Sequence, residues 1–205
     1  MLSELTVAEL LHQTARGTPV PGGGSLSAMA AAVGAALAQM VAGLTAGRKQ
    51  FDAVTPEMKE LAKTAERLRA DLLADMDRDA DAYTAVMAAF RLPRDTATEK
   101  THRADAIQQA TREAARVPLA VAEKALEVMM LAGTVVAKGN PNAMSDGAVG
   151  AMLARAALQG ALFNVKINLR DIRDEAFTTR LSAQAEALDA RARALETTIL
   201  SEIKR

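Results

Sequence analysis

Lys138-Gly139-Asn140-Pro141-Asn142-Ala143-Met144-Ser145-Asp146 puts one cation, two amides, one hydroxyl and one carboxylate into nine residues, between two long Ala-rich stretches. A connection between helices needs only a Gly, a Pro or one Asn. The surplus of polar groups on a turn stiffened by Gly139 and Pro141 points to a site for a polar ligand. A second candidate, Pro19-Val20-Pro21-Gly22-Gly23-Gly24-Ser25, opens an uncharged helix. Free N–H groups at a helix start attract an anion or a developing negative charge. The same glycines would also let the loop pass close to another helix. The segment is no phosphate-binding P-loop, because no strand precedes it and no Lys follows the glycines. Lys49, after Gly47-Arg48, either complements the C-terminal dipole of that helix or faces the ligand.

Two further sets are polar residues inside apolar stripes. Leu61, Ala65, Leu68, Leu72, Met76, Asp79, Tyr83, Val86 and Phe90 follow one another at spacing 4,3,4,4,3,4,3,4, within a sector of roughly 80° on a helix. Asp79 is the only charge in that stripe, with Asp75 at its edge and Asp71, Asp77 and Asp81 pointing elsewhere as a solvated acidic surface. A carboxylate so placed must be paired, protonated or at a cavity. It therefore serves either as a structural ion pair or cap, or as a ligand-binding or acid/base group, with Tyr83 one turn later as its hydroxyl-bearing neighbour. Asn164 and Asn168 share a face with Ala157 and Ala161. Asn is poorly suited to a helix interior, so these amides reach either across a close helix contact or to a ligand.

Composition narrows the chemistry. The chain has 205 residues, 50% apolar and 24% charged, with no net charge, as expected of a soluble globular protein in one domain, residues 1–205. Nothing resembles the basic footprint of a nucleic-acid partner, and 2% aromatics leaves little for base stacking. The absence of Cys excludes disulfides, thiolate nucleophiles and thiolate metal sites. His12 and His102 lie among polar residues, so no metal site is expected. Thr18 to Gly47 carries no charge, but its glycines, prolines and alanines insert weakly into a bilayer. The expectation is a helix buried in protein on all sides, no membrane span, no signal peptide in Met1–Arg16, and a cytoplasmic location.

The elements that must position these residues are all helical. No segment alternates apolar and polar residues for long. The pattern predicts an all-α bundle of about seven helices: Thr6 to Ala15; Ser25 to Ala46; Thr55, as the cap before Pro56 and Glu57 in the first turn, to Arg91; Thr101 to Arg116; Pro118 to Lys138; Ser145 to Asp171; and from Asp174 onward. Gly139 suits a left-handed C-terminal cap. The second helix has a bulky stripe (Leu26, Met29, Val33, Leu37, Met40, Leu44) and a flat one (Ala30, Gly34, Ala38, Ala42), so it can serve two neighbours, one at close range. So apolar a helix also fits a homodimer.

Taken together, the chain resembles the cyclodeaminase/cyclohydrolase family of folate enzymes over essentially all its length. That family includes the C-terminal domain of formiminotransferase-cyclodeaminase and stand-alone methenyltetrahydrofolate cyclohydrolases. The resemblance rests on Pro19 to Ser25, Gly47-Arg48-Lys49, Asp79-Ala80-Asp81-Ala82-Tyr83, Phe90-Arg91-Leu92-Pro93, Gly139 to Asp146, and Asn164-Val165 with Asn168. It implies an all-α dimer acting on the one-carbon bridge between N5 and N10 of a reduced folate, polyglutamylated or not, with no other cofactor and no metal. Under it, Asp79, Asp146 and Lys49 are the candidate catalytic residues. Pro21, Gly22, Gly23, Gly24, Ser25, Tyr83, Lys138, Asn140, Asn142, Ser145, Asn164 and Asn168 are the candidate substrate-binding ones. The family often carries Phe in place of Tyr83, which argues against an essential hydroxyl. Hydrolysis of 5,10-methenyltetrahydrofolate is the expected reaction, since the chain carries no formiminotransferase domain. Cyclodeamination of formiminotetrahydrofolate is the alternative, and a non-catalytic folate-binding protein a further one.

Overall fold

The structure, a computed structural model, describes residues 1–203. Its elements are α1 (Val7–Thr14), α2 (Gly23–Thr45), α3 (Thr55–Phe90), α4 (Ala97–Lys138), α5 (Met144–Leu169) and α6 (Glu175–Ile203), with short 3₁₀ turns at Leu2–Glu4, Lys49–Phe51 and Pro141–Ala143. The all-α expectation holds, with six helices in place of about seven.

The difference lies at Pro118. Proline lacks the N–H that would bond the carbonyl four residues back, and in a helix interior it usually breaks or kinks the helix. Here α4 runs through it, and Pro118 is buried. The freed carbonyl belongs to Ala114, and Asn168 on α5 donates its Nδ2 to that oxygen at 2.7 Å. A cross-helix amide therefore replaces the missing backbone donor. The expectation of two helices here fails because the compensating group lies 54 residues away in sequence.

α2 packs against α3, α4 and α5, and α6 lies on α4 and α5. The alanines of α2 meet Leu68, Leu72, Met76, Val121, Val128, Met129, Leu158 and Val165 in one core. Small residues set the α2–α5 distance: a Cβ on Gly34 would lie 2.8 Å from the Gly150 carbonyl, and one on Gly160 2.5 Å from Ser27 Oγ. These pairings make the two helices antiparallel. Of the flat stripe expected on α2, Gly34 meets α5 and also Val128 of α4, while Ala42 packs with Met58 and Leu61 of α3 and Val135 of α4.

The bulky stripe of α2 behaves differently. Val33, Met40 and Leu44 are exposed, and so are Val149, Met152, Phe163 and Ile167 on α5. With Gly34 against Gly150 and 100° of rotation per residue, both stripes fall on the same side of the pair. α2 is therefore not buried on all sides within one chain. Both it and the stretch Pro141–Leu169 are long and apolar enough to cross a membrane, and half of each such window is buried inside the protein.

Two smaller expectations change. Thr55 is the first residue of α3 rather than its cap; its hydroxyl donates to the Phe51 carbonyl at 3.1 Å. Gly139 has φ −80°, not a left-handed value. Glycine is required there because a Cβ would overlap the Val135 carbonyl and crowd Thr45.

Candidate active site

Asp79 lies at the start of α2. That helix has Gly22 at its N-cap and no side-chain cap of its own. Asp79, from the middle of α3, takes that place: its Oδ2 accepts the Ser25 hydroxyl at 2.8 Å, and it also accepts a backbone hydrogen bond from Ser25. The approach needs Gly24, since a Cβ there would overlap both carboxylate oxygens. The helix start does attract an anion, as its sequence suggests, and that anion is the protein's own carboxylate. Burial pushes the Asp79 carboxyl above the usual carboxylate range, and the hydrogen bonds from Ser25 only partly offset that.

A cavity of about 300 Å³ opens in front of this carboxylate. Pro19, Val20 and Gly22 to Gly24 form one wall, Asp79, Ala82, Tyr83 and Val86 of α3 another, and Ala114 of α4 with Asn164, Ile167 and Asn168 of α5 the rest. Asn164 donates its Nδ2 to the Gly160 carbonyl one turn back at 2.9 Å. Asn168 is held on Ala114 as described. Each Asn thus has its NH₂ on a backbone carbonyl while the side chain also lines the cavity. Pro21 and Ser25 are buried behind the wall rather than on it. Pro21 follows a cis peptide bond that turns the chain into the glycine run.

The other half of the expected site lies elsewhere. Asn140 is buried: its N–H donates to Thr45 Oγ1 (2.9 Å), its Nδ2 to the Leu44 carbonyl (3.4 Å), and its Oδ1 accepts the Asn142 N–H (3.1 Å). These bonds tie the turn to the C-terminal end of α2. Lys138 pairs with Glu57 of α3 at 2.7 Å rather than standing alone. Asn142, Ser145 and Lys49 are exposed, and Asp146 is half-buried in the first turn of α5. From Gly23 to Thr45, α2 rises about 33 Å at 1.5 Å per residue. Within one chain, then, Lys49, Lys138, Asn140, Asn142, Ser145 and Asp146 do not reach the Asp79 cavity. The turn and Asp79 therefore do not form one site within a single chain.

Asp75, placed by its spacing at the edge of the stripe, is the most buried carboxylate, at 1% exposure. It pairs with Lys124 of α4 and, at 2.8 Å, with Arg78. Asp77 is not simply solvated: it accepts the Leu2 N–H and the Ser3 hydroxyl, docking the N-terminus. Val20, Ala82, Val86, Ala114 and Ile167 were missed as cavity walls. Apolar side chains carry no chemical signal in a sequence, and only their helical phase relative to Asp79 and Asn164 could have found Ala82, Val86 and Ile167.

A half-buried carboxylate beside a small cavity, held by a helix start and flanked by two amides, suits a cationic or protonatable planar ligand. Comparison with known proteins agrees with the sequence resemblance. The chain is 38% identical to a methenyltetrahydrofolate cyclohydrolase of Methylorubrum extorquens over 204 residues, covering all of this chain and 98% of that protein. It is 33% identical to the formimidoyltransferase-cyclodeaminase of Mus musculus, spanning 99% of this chain but 38% of that longer protein. The solved structure of a formiminotetrahydrofolate cyclodeaminase from Thermotoga maritima superposes with a TM-score of 0.90 at 28% identity, covering 100% of this chain and 98% of that one. With its family model matching residues 6–187 on top of these likenesses, the chain belongs to the formiminotransferase-cyclodeaminase family.

Proposed function

We propose that this protein hydrolyses 5,10-methenyltetrahydrofolate to 10-formyltetrahydrofolate, with Asp79 as the group that handles the proton. The observation that carries the reading is the desolvated Asp79 carboxylate, aimed into a cavity by the start of α2. The substrate is an amidinium cation whose bridging carbon is already electrophilic. An ionised Asp79 stabilises that cation and accepts a proton from the attacking water. Water oxygen bonds to the bridging carbon and gives a tetrahedral carbinolamine. The carbon–N5 bond then breaks as the C–OH becomes the formyl C=O on N10. Of the two water protons, one ends on N5 and the other is released to solvent. The amides of Asn164 and Asn168 line the same cavity and orient the pterin edge or the water.

The likeness to a cyclohydrolase over nearly its whole length supports hydrolysis. A second reading has its own support: the Thermotoga maritima structure is that of a cyclodeaminase of the same extent. In that reaction the N10 amine attacks the N5-formimino carbon and ammonia leaves, through a similar tetrahedral carbon. The two are separated by supplying each substrate. Loss of the near-ultraviolet absorbance of methenyltetrahydrofolate above the buffer rate supports hydrolysis; ammonia release from formiminotetrahydrofolate, without that acceleration, would replace it with the second reading.

We also propose a homodimer formed through the exposed apolar face of α2 and α5, since Val33, Met40 and Leu44 stand beside Val149, Met152, Phe163 and Ile167 with none of the described residues of the same chain covering them. A two-fold axis running across these helices would set the C-terminal end of one α2 over the N-terminal end of its mate. Asp146, Asn142 and Lys49 of one subunit would then complete the Asp79 cavity of the other. This arrangement gives the glycine–asparagine turn, which lies too far from Asp79 in its own chain, a place in the reaction.

A further inference from the structure

Ser25 was expected to touch substrate, but its surroundings give it another task. The side chain is fully buried, at 0% exposure, and it does not line the cavity; the Asp79 carboxylate lies between the two. Its hydroxyl donates to Asp79 Oδ2 at 2.8 Å, and Gly24 beside it, having no Cβ, lets the carboxylate lie directly against the start of α2. We propose that Ser25 is a positioning residue that fixes the orientation of the Asp79 carboxylate toward the cavity and sets its readiness to take a proton. The inference rests on the reading of Asp79 as the proton-handling group.

The surroundings leave few other groups for that task. From α2 the carboxylate meets Gly24 and Ser25; the cavity receives only Ala114 from α4, and Asn164, Ile167 and Asn168 from α5. Among the described residues, Tyr83, one turn further along α3, is the only other titratable side chain on the cavity wall. Asp75, one turn earlier, is engaged with Lys124 and Arg78. Ser25 is therefore the one side chain hydrogen-bonded to Asp79 among the described residues. A donor to a carboxylate favours its ionised form, so removing the donor must raise the pH at which Asp79 ionises.

The test is the pH dependence of turnover of methenyltetrahydrofolate by the wild-type protein and by Ser25→Ala and Ser25→Cys. Cysteine still fills the buried site, with a slightly larger atom, but is a weak donor. The expected result is a fall in kcat of roughly ten-fold for Ser25→Ala, with KM changed less than two-fold. The acid limb should move to higher pH in both variants, further for Ala than for Cys. A rise in KM with the limb unmoved would overturn the proposal and return Ser25 to substrate binding. Loss of kcat with an unmoved limb would reduce it to a folding role. If the wild-type protein turns over no folate, the reading of the reaction fails, but the inference is still decided by following the Asp79 carboxyl by carbon-13 NMR. An Asp79 titration identical in wild type and Ser25→Cys would overturn it.

Discussion

At the scale of single residues, two carboxylates one helical turn apart have opposite duties. Asp75 is buried and paired with Lys124 and Arg78. Removing one member of such a pair leaves a charge without its partner, so Asp75→Ala should cost about 3–5 kcal/mol in urea unfolding. Asp79 is the reverse case. Burial raises its folded-state pKa, so protonation favours the fold, and stability falls as pH rises from the ordinary carboxylate range through the raised value. Asparagine imitates the protonated form and still offers Ser25 an acceptor. Asp79→Asn should therefore unfold at an equal or higher temperature at pH 7, by up to roughly 4 °C, and show no such gain at pH 4. Calorimetry at the two pH values checks this. A clear loss of stability at pH 7 would mean that the charge serves mainly to cap α2. Apolar periodicity alone singled out Asp79. It ranked Asp75 too low, because the ion-pair partner of Asp75, Lys124, lies on a helix whose position the periodicity of α3 does not encode.

At the scale of elements, α4 depends on α5 for its continuity. Asn168 should be worth more when residue 118 is proline than when it is not. Asn168→Ala in the native chain leaves the Ala114 carbonyl without its donor, at about 1–3 kcal/mol. In a Pro118→Ala background the restored N–H can take that carbonyl, and the cost of losing Asn168 should drop by about 1 kcal/mol or more. Equal costs in the two backgrounds would contradict this account of the helix. The example also marks what was legible in the chain. The ends of α2, α3 and α5 were found to within about two residues, because caps, glycines and helical periodicity are local signals. The single α4 was not, since proline is a local breaker and its remedy is remote. The two amides on α5 were recognised as out of place; that one of them repairs α4 while also facing the cavity becomes visible only when both helices are in position.

At the scale of the whole molecule, the two polar clusters of the chain lie at opposite ends of α2, and the apolar face along α2 and α5 supplies a way to join them. Each motif could be read from sequence, but their separation could not, because it depends on which end of α2 each one meets. A mixing experiment distinguishes a shared site from a site within one chain. Asp79→Asn and Asp146→Asn proteins, each nearly inactive, should regain up to roughly half the wild-type turnover per mixed dimer when unfolded together and refolded, since one of the two sites then receives both native carboxylates. Without a shared site, mixing restores nothing. The central claim, that Asp79 drives hydrolysis of the folate bridge, is tested most directly by following the absorbance of 5,10-methenyltetrahydrofolate with equal amounts of wild-type and Asp79→Asn protein. The account predicts decay well above the buffer rate for the wild type and a fall of about 10²- to 10⁴-fold for the variant; a wild-type rate equal to buffer, or an Asp79→Asn rate equal to wild type, would contradict it.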